Sequence, residues 1–145
     1  MDTSCPIWKI RDKRRFLAAA IEELAGDAHI SFEGDLRALK LADLPGASAD
    51  ETASLKRNTL WPRQDFVVSP LEVGSAECIL RAIGGTVPKT VLHIQVEKAG
   101  KLEMGLYDSF QPEMSYFGTA MIALFHTRLE AEGIVRKWTA DQHND

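Results

Sequence analysis

The sequence predicts a single α+β domain: a mixed, mostly antiparallel sheet of about five strands with helices packed on one face. Residues 90–107 alternate apolar and polar side chains around a turn, which indicates a β-hairpin. Segments with helical periodicity separate the other strand-like segments. The length of 145 residues and the 45% hydrophobic content are ordinary for one domain. We expect residues 1–145 to form this domain, with frayed ends at 1–6 and 140–145.

The hairpin register follows from placing its apolar residues on one face. A three-residue loop at 98–100 achieves this, with Gly100 in the left-handed conformation that such loops require. The predicted cross-strand pairs are Val96 with Leu102, Ile94 with Met104, and Leu92 with Leu106. On the outer face, His93 is then opposite Gly105.

Before the hairpin, the chain predicts a short strand or packed arm at 7–10 and a helix from an Asp12 cap to Ala25. A strand at 29–32 follows. Asp35 is expected to cap a helix ending at Leu41, and Ser48 with Glu51 resembles a capping box for a helix over 49–57. The connection over residues 33–63 is long for a compact domain.

The remaining elements are a strand at 65–69, apolar on both faces near its middle, and a helix capped by Ser75. Pro70 indicates a strand end or a sheet edge. A helix over 119–132, with an apolar stripe through Ile122, Phe125 and Leu129, precedes a strand at 134–138. With helices on one face, we expect part of the other face to be open to water or to a partner.

Composition excludes several classes of function. The net charge of −4 gives no general attraction to nucleic acid or anionic membranes. The chain has no signal-type apolar region at its start and no apolar run long enough for a membrane span. We expect a cytoplasmic protein with Cys5 and Cys78 both reduced, and Cys78 as a small buried side chain.

No catalytic or metal-binding motif is recognisable, so no cofactor and no metal are expected. His93 is the first chemical candidate because Gly105 leaves room beside its ring. Glu103 and Tyr107 share its predicted face and complete a possible pocket. A histidine without a catalytic role on a polar sheet face explains the same pattern.

Charged residues form two groups in the sequence. The segment 9–15 is basic around the start of the first helix, where cations oppose the helix dipole. Acidic residues follow strand ends, and they would form one rim with neighbouring aromatics. The predicted partner-binding rim is Glu33, Asp35, Glu103, Tyr107 and Asp108, with Phe110 beside it. Ordinary loop carboxylates remain the alternative.

A small acidic domain with an open polar-aromatic sheet face resembles many small bacterial inhibitor proteins, including immunity proteins that neutralise a toxin. The resemblance is one of class and involves no motif. It implies a non-enzymatic protein that occludes a basic surface of its partner. The alternative is a small enzyme or ligand-binding domain that uses His93, Glu103 and Tyr107. Nucleic-acid binding through residues 9–15 has the least support.

Overall fold

The computed structural model describes residues 7–138, and these form one α+β domain. In chain order, the strands and helices are β1 (Ile7–Ile10), α1 (Lys13–Leu24), β2 (Ala28–Gly34), β3 (Asp65–Leu71), α2 (Ser75–Ile83), β4 (Val91–Lys98), β5 (Lys101–Leu106), β6 (Tyr116–Phe117), α3 (Thr119–Leu124) and β7 (Val135–Trp138). A π-helical turn, Phe125–Leu129, extends α3.

The main sheet has five strands in the order β3-β2-β4-β5-β6, and every neighbouring pair is antiparallel. Strands β1 and β7 form a separate antiparallel pair. The predicted fold class is therefore confirmed. Strand β3 lies at the edge of the sheet, as Pro70 suggested, although both of its faces are covered.

The main core lies between the helices and one face of the sheet, and it includes Phe16, Phe32 and Phe125. As predicted, the Asp12 side chain caps α1 by accepting a hydrogen bond from Arg15 N–H. The Lys98 ammonium donates to three carbonyls at the other end of α1, those of residues 24–26. A cation at a helix C-terminus satisfies exposed carbonyls and favours the dipole.

The basic segment at 9–15 has intramolecular partners that the sequence did not reveal. Arg14 donates to the carbonyls of Gly84 and Leu80, which end α2. Arg15 pairs with Glu132 at 3.7 Å. The Lys13 ammonium lies 5.1 Å from the centre of the Phe110 ring. Several cations of this segment therefore make contacts within the domain, and Arg14 joins α1 to the end of α2.

The predicted hairpin register is wrong, although the hairpin itself is present. A two-residue turn places Ala99 and Gly100 at φ 51° and 79°, so Gly100 has the expected positive φ. A β-bulge at Glu103 adds one residue to β5, so that the apolar residues beyond it again face the core. The observed pairs are Ile94 with Leu106, Gln95 with Gly105, Val96 with Met104, Glu97 with Leu102, and Lys98 with Lys101.

The second face of the main sheet is largely covered, contrary to the expectation of an open face. Residues 48–63, which we call the strap, cross this face without forming the predicted helix at 49–57. Leu55 is fully buried against Phe66 and Val68, and Leu102 packs beside them. The Ser48 hydroxyl accepts from Asp50 N–H, which produces a turn rather than a helix cap.

Three further local predictions are wrong in whole or in part. The helix expected from Asp35 to Leu41 is replaced by turns and a 3₁₀ segment, Leu41–Asp43. The helix predicted over 119–132 is present as α3 and the π-helical turn with Phe125 and Leu129 buried, but it ends at Leu129 and Ile122 of its apolar stripe is exposed. Cys78 is exposed and its thiol is free, whereas we expected burial.

Two other predictions concern helix caps and the first cysteine. Ser75 begins α2 but does not cap it, since its hydroxyl accepts from Glu72 N–H. The prediction for Cys5 and the prediction of frayed ends at 1–6 and 140–145 fall outside residues 7–138. Within that range, no helix has both the length and the apolar composition for crossing a membrane.

Candidate functional site

The strap is attached to the sheet by polar side chains that project from the strands beneath it. The Glu33 carboxylate, in β2, accepts from the N–H groups of Asn58 at 2.7 Å and Thr59 at 3.1 Å. The Gln95 amide, in β4, donates to the Lys56 carbonyl at 2.8 Å. These bonds satisfy strap backbone groups that have no strand or helix partner, and so they fix its path.

His93 belongs to the same layer and is also buried. Its Nε2 lies 2.8 Å from Thr59 Oγ1, and its Nδ1 accepts from Asp108 N–H at 3.2 Å. A neutral imidazole with an accepting Nδ1 carries its proton on Nε2. Nε2 therefore donates to Thr59, and it has no lone pair with which to activate that hydroxyl.

Tyr107 covers the outer part of the sheet beside His93, with 5.7 Å between the ring centres. Its ring lies against Gly105, where a Cβ atom would be 2.7 Å from the ring carbons. Its hydroxyl donates to Gln95 Oε1 at 3.2 Å. This burial raises the pKa of the Tyr107 phenol. Gly105 thus provides room for the Tyr107 ring rather than for a ligand beside His93.

The outer side of the strap presents two consecutive large apolar residues to solvent. Leu60 is 93% exposed and Trp61 is 85% exposed. They border an open cleft of about 670 Å³ with Tyr107 and His93 at its base. The other lining residues are Asn58, Thr59, Asp108 and Met114.

The turn that carries Asp108 has an uncommon backbone. Asp108, Ser109 and Phe110 have φ values of 50°, 58° and 67°. Consecutive residues other than glycine rarely occupy this region, and each costs about 1–2 kcal/mol. Buried Phe110 and a hydrogen bond from Ser109 N–H to the Leu92 carbonyl hold the turn in place. The backbone that carries the exposed Asp108 side chain is therefore fixed at the edge of the cleft.

The structure brings together only part of the predicted rim. Tyr107 and Asp108 line the same cleft. Glu33 is directly beneath the strap and only 1% exposed, so its carboxylate does not form part of a surface rim. Asp35 and Glu103 are not among the residues that line this cleft.

Asp35 and Glu103 have local roles instead. Asp35 forms a two-point contact with Arg37, whose hydrogen bonds lower the pKa of the Asp35 carboxyl to about 2. Glu103 is the bulged residue of β5, and its carbonyl accepts from Gly118 N–H at 2.8 Å. The predicted pocket of His93, Glu103 and Tyr107 is therefore not assembled as a triad. Across residues 7–138, no group of three histidine, cysteine or acidic side chains is arranged to hold a metal ion.

Sequence reasoning missed Leu60, Trp61 and Met114. The signal for the first two was present, because two large apolar residues follow each other in a stretch without helical or strand periodicity. Such residues are not needed for an amphipathic element, so their exposure is the simpler interpretation. Met114 is far from them in the sequence, and only the fold brings it to the cleft.

Comparisons with protein-family models, curated proteins and solved structures gave no match for this chain.

Proposed function

We propose that this domain binds a protein partner with a basic surface and blocks that surface, as small inhibitors of the immunity type do. The contact is the Trp61 surface, which we define as Leu60, Trp61, Tyr107, Asp108 and Met114. The observation that carries the proposal is the near-complete exposure of Leu60 and Trp61 side by side. Within this proposal the protein acts in the bacterial cytoplasm, where thiols such as that of Cys78 stay reduced.

The side chains of Leu60 and Trp61 do not stabilise the isolated domain, because neither packs into its cores. A partner that covers them gains roughly 2–3 kcal/mol for each side chain. Tryptophan is also enriched among the residues that dominate binding energies. Met114 is 50% exposed in the same cleft and adds a flexible apolar contact. The composition of this surface therefore fits the centre of a protein interface.

The strap reduces the entropic cost of binding. Thr59, the residue before Leu60, is bonded to the sheet through both its N–H and its hydroxyl. A long loop without such bonds would lose conformational freedom on binding, whereas this one is already ordered. The apolar pair is thus presented from a fixed position.

Charge determines the chemistry of the partner. Asp108 is exposed at the edge of the cleft, and the whole chain carries a net charge of −4. The complementary surface has an apolar groove for Trp61 with a lysine or arginine beside it. Attraction between the two surfaces would accelerate association and fix orientation.

The experiment uses the product of the gene adjacent to this one as the candidate partner, because inhibitor and target genes are expected to be neighbours. Affinity for that protein is measured by calorimetry for the wild type and for Trp61→Ala. We expect the substitution to weaken binding by about 30-fold or more, which corresponds to about 2 kcal/mol. Asp108→Lys should mainly slow association.

Val73→Ala is the matched control, since Val73 is 87% exposed on a different loop. It should leave affinity unchanged, and circular dichroism should show that all variants remain folded. An unchanged affinity in Trp61→Ala would remove the Trp61 surface from the interface. Absence of binding by the wild type would contradict the inhibitor function for this gene pair.

The alternative, a small enzyme or ligand-binding domain, has weaker support. His93 and Tyr107 do line one cleft, but Glu103 is not part of it. Both ring nitrogens of His93 already have hydrogen-bond partners within the protein. If the wild type turned over a substrate and the folded His93→Ala variant did not, that result would favour this alternative.

A further inference from the structure

We propose that the open cleft beside Trp61 takes up an arginine side chain of the partner, whose guanidinium stacks on the aromatic rings and pairs with the Asp108 carboxylate. The cleft is part of the Trp61 surface, so this assignment rests on the function proposed above and names the partner residue that the domain receives. It is supported by a carboxylate without a cation, by two accessible rings and by a neutral cleft base.

The Asp108 carboxylate supplies the negative charge of the cleft. Its side chain is exposed, and with residues 7–138 it forms no ion pair and no hydrogen bond. The backbone beneath it is held by the hydrogen bond from Asp108 N–H to His93 Nδ1. Among the described residues that line the cleft, none is a lysine or an arginine. A cation from outside the domain can therefore pair with Asp108 without displacing an internal partner.

Two aromatic rings are available to a cation in the cleft. One face of the Tyr107 ring covers Gly105, and the hydroxyl donates to Gln95 Oε1. Tyr107 also lines the cleft, so the ring meets the cleft with the side that Gly105 does not cover. The Trp61 ring is 85% exposed and contacts no other aromatic ring in the described part of the chain. The faces of tyrosine and tryptophan rings attract cations.

The base of the cleft carries no positive charge that would repel a guanidinium. His93 Nδ1 accepts a backbone N–H, so this nitrogen has no proton and the imidazole is neutral in the observed arrangement. Asn58 adds a polar acceptor to the lining. Its Nδ2 donates to the Lys56 carbonyl at 2.9 Å, whereas its Oδ1 accepts no hydrogen bond within residues 7–138.

These groups fit arginine better than lysine. A guanidinium is planar and more weakly hydrated than an ammonium, so it stacks flat on a ring while its N–H groups bind a carboxylate in the same plane. Met114 is 50% exposed in the same cleft and can cover the aliphatic stem of the side chain. A lysine would bring a strongly hydrated point charge, which uses the ring faces less well.

The test adds the tripeptide glycyl-arginyl-glycine, acetylated and amidated, to the full chain and follows the nuclear magnetic resonance signals of the Trp61 indole N–H and the Asp108 amide. We expect both signals to shift until they saturate. The same tripeptide with citrulline, which has the shape of arginine without its charge, should bind at least about threefold more weakly. The lysine tripeptide should also bind more weakly than the arginine tripeptide. The amide of Val73, on a different loop, should not shift.

Asp108→Asn tests the ion pair without changing the size of the side chain. It should weaken binding of the arginine tripeptide by at least about threefold and bring the affinities for arginine and citrulline close together. Asp43→Asn is the matched control, because Asp43 is an exposed carboxylate that does not line the cleft. It should leave the affinity unchanged. Urea midpoints of both variants should equal that of the wild type, since both side chains are exposed.

Three results would overturn the assignment. The first is the absence of a shift in either signal at the highest soluble concentration of the arginine tripeptide. The second is equal affinity of the arginine, lysine and citrulline tripeptides, because neither charge nor planarity would then be recognised. The third is tighter binding of tetramethylammonium than of the arginine tripeptide, which would identify a site for quaternary ammonium groups instead.

The product of the adjacent gene separates this assignment from the proposed function. If that protein binds the wild type and binds Trp61→Ala more weakly, while the arginine tripeptide causes no shift, the inhibitor function stands and the arginine assignment falls. If the arginine tripeptide binds selectively and the adjacent gene product does not bind, the arginine assignment stands and the inhibitor function is contradicted for this gene pair.

Discussion

The carboxylate of Glu33 accepts the backbone N–H of Asn58 at 2.7 Å beneath the strap. This relationship joins the centre of the main sheet to a segment that has no helix or strand of its own. It also explains why an acidic residue is buried on a sheet face. Glu33 determines where Leu60 and Trp61 are presented, although it does not contact solvent itself.

Glu33→Ala should lower the free energy of unfolding by about 2–4 kcal/mol, because two buried N–H groups lose an anionic acceptor. Urea denaturation measures the change. The amides of Asn58 and Thr59 should exchange faster with solvent, since the strap loses its anchor.

Glu130→Ala is the control for that substitution, because Glu130 is an exposed carboxylate without a side-chain hydrogen bond in the described chain. Its effect should stay within about 0.5 kcal/mol. Similar denaturation midpoints for the two variants would show that Glu33 does not anchor the strap.

Much of the fold was predictable because it depends on local patterns. Alternation over residues 91–98 identifies a strand whatever its partner, and Asp12 caps α1 through a contact three residues away. The hairpin register was not predictable by the same reasoning. The predicted register places all the apolar residues of the hairpin on one sheet face, but Leu102 packs with Leu55 on the second face. The bulge at Glu103 allows β5 to place apolar side chains on both faces of the sheet.

The strap could not be predicted because its stability comes from distant residues. Its capping-box pattern favours a helix locally, yet its backbone groups form hydrogen bonds with side chains of β2 and β4. The residues of the predicted rim are separated for the same reason. Glu33 belongs to the face that the strap covers, and nothing within a few residues of Glu33 indicates that cover.

The hairpin turn gives a second prediction. Ala99 occupies the left-handed region at φ 51°, which is unfavourable for alanine but tolerated by asparagine. Ala99→Asn should therefore increase the free energy of unfolding by roughly 0.5–1 kcal/mol. Gly100→Val should decrease it by about 1 kcal/mol or more, because a β-branched residue resists φ 79°.

Thermal and urea unfolding of both turn variants would test that pair of opposite effects. Lys101→Gln, next to the turn and exposed, serves as a neutral control. A stabilising Gly100→Val would contradict the observed turn, as would a clearly destabilising Ala99→Asn.

Tyr107 gives a prediction about alkaline pH. Burial raises its pKa above the ordinary value of 10.0. As pH rises above that value, the unfolded chain loses the phenol proton first, while the folded chain retains it. Stability due to this group is therefore complete below the ordinary pKa and declines as pH rises towards the raised one.

The decline should be smaller in Tyr107→Phe than in the wild type when urea midpoints are compared at about pH 9 and about pH 11. Other groups titrate equally in both proteins, so the difference isolates Tyr107. The chain has two tyrosines, and Tyr116→Phe leaves Tyr107 as the single phenol for an absorbance titration. In that variant the phenolate signal should appear at a pH above 10.0. Equal declines for the wild type and Tyr107→Phe, with ordinary ionisation in Tyr116→Phe, would show that the ring is not buried against Gly105.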